Sequence, residues 1–159
     1  MKILSVGRLL NQKGIKDFAI VSKNIKKEYP KIEFLWAGEI DHKHPDSISI
    51  KWLRNQKDFK YIGFKEDIRS ILNCSDIIFF PSYREGVPRF LMEAACLCKP
   101  IVAYDVPGVC EVIINEETGY LVEKNNTEMA ASFLKKLIDD ESHRLSMGDK
   151  SRKNVINKF

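Results

Sequence analysis

The sequence predicts an α/β domain built on a Rossmann-like open parallel sheet flanked by helices. Strand-length apolar runs alternate with helix-period segments along nearly the whole chain. Those runs are largely apolar throughout, as expected of strands covered on both faces. Glycine or proline follows most of them, at Gly7, Gly38, Gly63 and Pro81, so the chain turns at the carboxyl end of each strand.

Residues 2–6 (Lys-Ile-Leu-Ser-Val) read as the first strand. A helical pattern follows from about Gly14 to Tyr29, with Ile15, Phe18, Ala19, Ser22 and Ile25 on one face and Lys16, Lys23, Lys26 and Lys27 elsewhere. Pro30 closes it. Residues 32–37 form the second strand. A polar excursion, 39–57, carries Asp41, His42, His44, Pro45 and Asp46, with one short helix around 50–56. A short strand at 59–62, a helix at 67–73 and a buried strand at 76–80 come next. A helix opens at Pro88 and is followed by a strand at 101–104, a short helix at 108–114, a strand at 119–122 and a helix from Thr127. The polar, lysine-rich stretch 141–159 is expected to pack loosely.

At 159 residues, 44% hydrophobic and 30% charged, the chain suits one globular domain with a real core. No apolar run approaches the roughly 18 residues that cross a bilayer. The Met-Lys-Ile-Leu start reads as a strand, without the apolar region and cleavage site of a signal peptide. A net charge of +4, from 26 basic and 22 acidic residues, is interspersed and lacks an aromatic-basic platform, which argues against nucleic acid. Cys74, Cys96, Cys98 and Cys110 offer no Cys-x-x-Cys pair or neighbouring histidine, so they read as reduced thiols of a cytosolic protein and not as metal ligands.

Open parallel sheets bind ligands beyond the carboxyl ends of their strands. The loops predicted there are Gly7–Gly14, Gly38–Pro45, Gly63–Asp67, Pro81–Pro88 and Asp105–Gly108. The first puts Arg8 and Lys13 between two glycines at a helix N-terminus, where cations oppose the macrodipole unless an anion sits between them. An ordinary solvated basic loop has the same composition. It is neither a Walker A nor a Gly-x-Gly-x-x-Gly sequence. The fourth loop carries Glu85 in Glu-Gly-x-Pro, and Glu93 follows inside the next helix. A strand end, Gly86 and a helix N-terminus opened by Pro88 make a seat for a phosphorylated sugar, with outward backbone N–H groups and two carboxylates to accept hydroxyls. Two solvent-facing acids are the plain alternative. A retaining glycosidase also pairs carboxylates, about 5–5.5 Å apart, but leaves Arg8 and Lys13 without a role. A phosphosugar isomerase or epimerase lacks an assisting histidine or tyrosine. His42 and His44 read as loop residues, Trp36 and Trp52 as packing residues, and Asp105 as a turn residue.

Five ordered motifs carry a resemblance over nearly the whole chain. They are Gly-Arg-Leu-x-x-x-Lys-Gly from Gly7, Gly-Phe-x-x-Asp-Ile from Gly63, Pro-Ser-x-x-Glu-Gly-x-Pro-x-x-x-x-Glu-Ala from Pro81, Gly-x-x-Glu-Val-Ile from Gly108 and Thr-Gly-Tyr-Leu-Val from Thr118. Together they resemble the C-terminal, donor-binding half of glycosyltransferase family 4. The Ser-Tyr-Arg-Glu-Gly-Val-Pro-Arg variant is similar to the branch that builds capsular polysaccharide, O-antigen and related lipid-linked glycans.

The resemblance implies one half of a GT-B fold, a retaining and metal-independent transfer, and no cofactor beyond the nucleotide-sugar substrate. It implies that Arg8 and Lys13, beside Gly7, hold the donor diphosphate and that Glu93 holds the ribose. Glu85 would contact the transferred sugar, the backbone of Gly86, Val87, Pro88, Arg89 and Phe90 would reach the sugar or β-phosphate through the N–H groups of that segment, and Gly63 and Phe64 would border the nucleobase. Glu85, Arg8 and Lys13 are thus the expected catalytic residues. Arg89 could read a carboxylate or acceptor phosphate, and Glu111 would support its turn. Cys98 departs from the family, which often has a helix-ending glycine there, and so must either tolerate a left-handed turn or end the helix in another way.

The expected division is a nucleotide-sugar-binding domain over 1–140 and a helical C-terminal tail, cut short, over 141–159. The expected partners are a nucleotide-diphosphate sugar (UDP-linked by the family branch), a missing N-terminal acceptor domain and a lipid-linked acceptor; the expected location is the cytoplasm, or peripherally the inner face of the plasma membrane. The chain is expected to be a fragment or a split subunit, inactive alone. A non-catalytic nucleotide-sugar-binding module of the same fold is the alternative.

Overall fold

In a computed structural model that describes residues 1–159, a six-stranded, fully parallel sheet forms the centre. The strands are β1 (Lys2–Val6), β2 (Glu33–Ala37), β3 (Lys60–Tyr61), β4 (Ile77–Phe80), β5 (Ile101–Tyr104) and β6 (Tyr120–Val122). Their order, β3-β2-β1-β4-β5-β6, is that of the doubly wound nucleotide-binding sheet. All four residues of β4 and of β5 are buried, which explains their unbroken apolar sequence.

Four helices lie between strands, α1 (Ile15–Glu28), α2 (Ile50–Arg54), α3 (Arg69–Asn73) and α4 (Arg89–Cys96), and two follow β6, α5 (Thr127–Asp139) and α6 (Glu141–Lys158). A single 3-10 turn, Asn11–Lys13, leads into α1. α1 and α5 pack together on one face, tied by Lys135–Glu28 and by the Tyr29 hydroxyl on Asp139. The right-handed crossover from β4 to β5 puts α4 on the other face, where α6 runs along it. Phe18 centres the core, with Phe34, Trp36, Phe59 and Phe79 rings around it at 5.2–5.8 Å. Trp36 is buried as expected, and Trp52 packs on Phe59.

Two expectations are corrected. Residues 107–112 form consecutive turns and not a helix; Gly108, at φ 87°, breaks the helical backbone. The 141–159 stretch does not pack loosely. α6 buries Met147, Gly148, Ser151 and Val155, and its end reaches back to the 105–113 turns through Asn154 on the Val112 carbonyl and Lys158 on Glu111. Its sequence looks polar because only this narrow stripe faces inward. No helix is long and apolar enough to cross a membrane.

Cys98 adopts the left-handed conformation its position demands, with φ 55°. The Lys99 N–H bonds the Ala94 carbonyl at 3.0 Å and the Cys98 N–H bonds that of Ala95 at 2.9 Å. This pair of bonds ends α4 in a Schellman motif without glycine.

Candidate functional site

The sheet order reverses between β1 and β4, and the loops that follow these two strands splay there to open a crevice. They carry Arg8 and Lys13 on one side and Glu85 on the other. Lys13 Nζ lies 2.7 Å from Glu85 Oε1, with only 19% and 14% of the two side chains exposed. Water is largely excluded, so the pair is held more firmly than a surface ion pair.

The two loops touch through backbone. A Cβ at Gly14 (φ 75°) would stand 1.9 Å from the Pro81 carbonyl oxygen, so only glycine permits the approach. Gly7 is different: a Cβ there would make ordinary contacts of 3.6 Å or more, so no close approach demands that glycine. The Tyr83 N–H donates to the Gln12 carbonyl at 2.9 Å.

Beyond Tyr83 the fourth loop is open. The backbone N–H groups of Arg84, Glu85, Gly86, Val87, Arg89 and Phe90 donate to no protein acceptor, while Leu91 and Met92 donate to the Pro88 carbonyl. A Cβ at Gly86 would meet nothing within 4 Å, and Gly108 backs the same residue so closely that a Cβ there would fall 2.0 Å from the Gly86 oxygen. The result is a concave run of free donors at the N-terminus of α4, suited to an anion. Phe90 turns its side chain inward against Phe80, which leaves only its backbone for a ligand; Val87 and Arg89 are exposed.

Arg8 does not share a carboxylate with Lys13. Its guanidinium pairs with Asp41 at 3.3 Å, on the excursion after β2. Sequence reasoning missed what this excursion does. Asp46 accepts the Gln12 N–H on its Oδ2 at 2.8 Å, and its carbonyl takes the Asn11 N–H and Nδ2 at 3.0 Å each, bracing the cation-bearing loop. Neither Asp41 nor Asp46 carries a sequence signal beyond a polar turn.

Next to Arg8 a cavity of about 170 Å³ is lined by Val6, Gly7, Ala37, Gly38, Glu39, Phe64, Lys65 and Ile68. Phe64 is 67% exposed, a large apolar ring offered at the mouth. Gly63 turns the chain there at φ 76°. Glu93 is exposed on α4 and shares a shallow depression with Glu66, Asp67, Ile68 and Arg69, on the side towards that loop. The expected residues therefore fall in three adjoining groups: a ring and cavity, a pair of cations with Glu85 and free N–H groups, and Glu93. Glu111 points away, bound to Lys158. The side chains hold no cluster of three or more metal-ligating groups.

Comparison with known proteins identifies the family and the fold. The model of one family, glycosyl transferases group 1, matches residues 1–154. The chain is 32% identical over 155 residues to the capsular polysaccharide biosynthesis glycosyltransferase CapM of Staphylococcus aureus, a match covering 97% of this chain and 41% of that protein. It is 30% identical over 154 residues to the N,N'-diacetylbacillosaminyl-diphospho-undecaprenol alpha-1,3-N-acetylgalactosaminyltransferase of Campylobacter jejuni, over 97% of this chain and 40% of that one. Among solved structures, Anabaena HepE in complex with UDP shares the fold at a TM-score of 0.89 and 20% identity, over 99% of this chain and 44% of that one. The chain thus spans about two-fifths of the length of these curated relatives.

Proposed function

The chain belongs to the glycosyl transferases group 1 family, and we propose that it is the donor-binding half of a retaining, two-domain GT-B enzyme. On this reading the donor is a nucleotide-diphosphate sugar, and the product is a cell-surface polysaccharide or a lipid-linked precursor. The observation that carries the reading is the Lys13–Glu85 pair at the sheet's switch point, beside a run of free N–H groups.

Each part of the donor has a matching surface. The base enters the cavity between Gly38 and Phe64. Glu93 accepts hydrogen bonds from the ribose hydroxyls. The diphosphate takes the Lys13 ammonium, the Arg8 guanidinium and the free N–H groups of the Glu85–Phe90 loop. Glu85 accepts from a hydroxyl of the sugar. As the bond between the anomeric carbon and the diphosphate oxygen breaks, negative charge gathers on the diphosphate, and these fixed donors stabilise it without a metal. An acceptor hydroxyl attacking from the leaving-group side, with its proton passing to the departing diphosphate oxygen, retains the configuration.

UDP as the nucleotide is supported by HepE, which was solved with UDP. A lipid-diphosphate acceptor is supported by the Campylobacter relative's name, and capsule synthesis by that of CapM. The acceptor then sits on a further, N-terminal domain, and the enzyme works in the cytoplasm or at the inner face of the membrane. A thermal-shift panel of UDP-, GDP- and ADP-sugars tests the reading. One nucleotide series should stabilise the chain and lose that effect in Lys13→Ala; no stabilisation by any of them refutes the donor site.

A further inference from the structure

Asp17 is the only charged residue buried in the fold, at 8% exposure, and the chemistry above gives it no task. A buried carboxylate is costly unless hydrogen-bonded. Here the hydroxyls of Tyr83 and Tyr104 both donate to its Oδ2, at 2.8 and 2.5 Å. Asp17 sits in the first turn of α1, where the helix dipole favours a negative charge. Tyr104 ends β5 and is fully buried, so it is a fixed wall; the Tyr83 ring stacks on it at 5.8 Å and 4°. Burial, reinforced by the bond to Asp17, raises both phenols well above their ordinary range, which keeps them protonated as donors.

Position in the loop gives this cluster its meaning. Tyr83 is held three ways: by its N–H on Gln12, its ring on Tyr104 and its hydroxyl on Asp17. The next residues, Arg84 to Val87, make no backbone hydrogen bond as donors. Between Tyr83 and Glu85 the backbone is held only by a long bond of 3.4 Å from the Ser82 hydroxyl to the Arg84 carbonyl. Its hydroxyl also ties the fourth loop to α1, the helix that directly continues from Lys13 and Gly14.

We propose that Tyr83 is a positioning residue: its bond to Asp17 sets the Glu85–Phe90 loop against Lys13 in the register that a nucleoside-diphosphate sugar requires. The proposal rests on the donor-site reading above. Tyr104, bonded to the same oxygen but not on the loop, serves the fold alone.

Tyr83→Phe keeps the ring stack and removes only the hydroxyl. The probe is whichever of UDP, GDP or ADP binds the parent chain, measured by calorimetry beside its nucleoside. Tyr83→Phe should weaken the diphosphate about three- to tenfold and the nucleoside less than about twofold. Tyr104→Phe should lower the melting temperature but leave the ratio of the two affinities within about twofold. A readout without ligand is the NMR contact between the Lys13 ε-methylene and the Glu85 γ-methylene, present in the parent and weakened in Tyr83→Phe. Equal loss of both ligands in Tyr83→Phe, or an unchanged diphosphate affinity, overturns the proposal and leaves the cluster purely structural. A parent chain that binds no nucleoside diphosphate sinks the donor-site reading and this proposal with it, whereas the methylene contact shows separately whether Tyr83 sets the pair.

Discussion

Lys13 Nζ and Glu85 Oε1 meet at 2.7 Å across the line where the order of the sheet reverses. A cation from the loop after β1 and a carboxylate from the loop after β4 thus act as one unit, although 71 residues separate them in sequence. Without a ligand, Glu85 neutralises Lys13. On the proposed reading, an arriving diphosphate would bring its own negative charge to the ammonium and free Glu85 to take a sugar hydroxyl. The pair keeps each group pre-oriented at low cost in side-chain entropy.

Lys13→Ala should weaken a nucleoside diphosphate about 10- to 150-fold, the worth of roughly 1.5–3 kcal/mol for a hydrogen bond to a charged group. Arg8→Ala should do less, because that side chain is 48% exposed and already screened by solvent. Both losses should shrink at high salt. Calorimetry against nucleoside and nucleoside diphosphate checks this. Equal losses for the two ligands would place the phosphates elsewhere.

Asp41 already pairs with Arg8 and, on the proposed reading, would compete with a phosphate for it. Asp41→Asn should therefore raise affinity for the diphosphate, by about two- to fivefold if the exposed pair is worth roughly 0.4–1 kcal/mol. The gain should vanish in an Arg8→Ala background, since the effect runs through the guanidinium. A gain that persists without Arg8 would mean a general charge effect.

Glu93→Gln should leave the fold intact, since the side chain is solvent-exposed, yet weaken nucleoside and nucleoside diphosphate alike by about tenfold or more. Loss of both ligands is the signature of a ribose contact, and it separates Glu93 from Lys13. An unchanged affinity for both would remove the ribose assignment.

Much of this was legible in the sequence because the periodicities are strong. Continuous apolar runs gave the strands, and Gly and Pro marked the loops that form the crevice. Glu85 and Lys13 stood out because each lies on a loop fixed by a strand end, whereas Phe64 was singled out only by the family resemblance. What stayed hidden depended on long-range contact. Nothing local says that Asp46 braces Gln12 or that Asp41 holds Arg8. Asp17 left a trace: it falls on the same helical stripe as Val21 and Ile25, an acid where an apolar residue belongs. The tail 141–159 misled because burying four small or apolar residues needs only a thin stripe, invisible in its average polarity.

Gly148 marks where α6 crosses the end of α4. A Cβ there would lie 2.0 Å from the Cys98 carbonyl oxygen and 2.8 Å from its carbon. Cys98 is the left-handed residue of the Schellman motif, so that backbone has little room to retreat. Gly148→Ala should destabilise the chain by about 2–3 kcal/mol even though alanine is the better helix former by about 1 kcal/mol. Urea unfolding midpoints measure the balance, and an alanine variant as stable as the parent would show that α6 does not press on α4.

The 159-residue chain alone should bind its donor weakly and transfer nothing. On the proposed reading its loops supply the diphosphate, ribose and sugar contacts, so the expected binding rests on the Lys13–Glu85 pair, the cavity beside Phe64 and the free N–H groups. Transfer needs an acceptor hydroxyl held near the anomeric carbon and a crevice closed to water, both of which the proposed reading assigns to a second domain. With one wall of the cleft, dissociation constants should lie nearer 1 mM, about −4 kcal/mol, than 1 μM, about −8 kcal/mol. Saturation-transfer NMR with the sugar nucleotide, beside a labelled-donor assay with lipid extracts, reads both quantities in one preparation. Acceptor-dependent turnover by the purified chain would overturn the half-enzyme reading, because the same residues would then be carrying the acceptor as well.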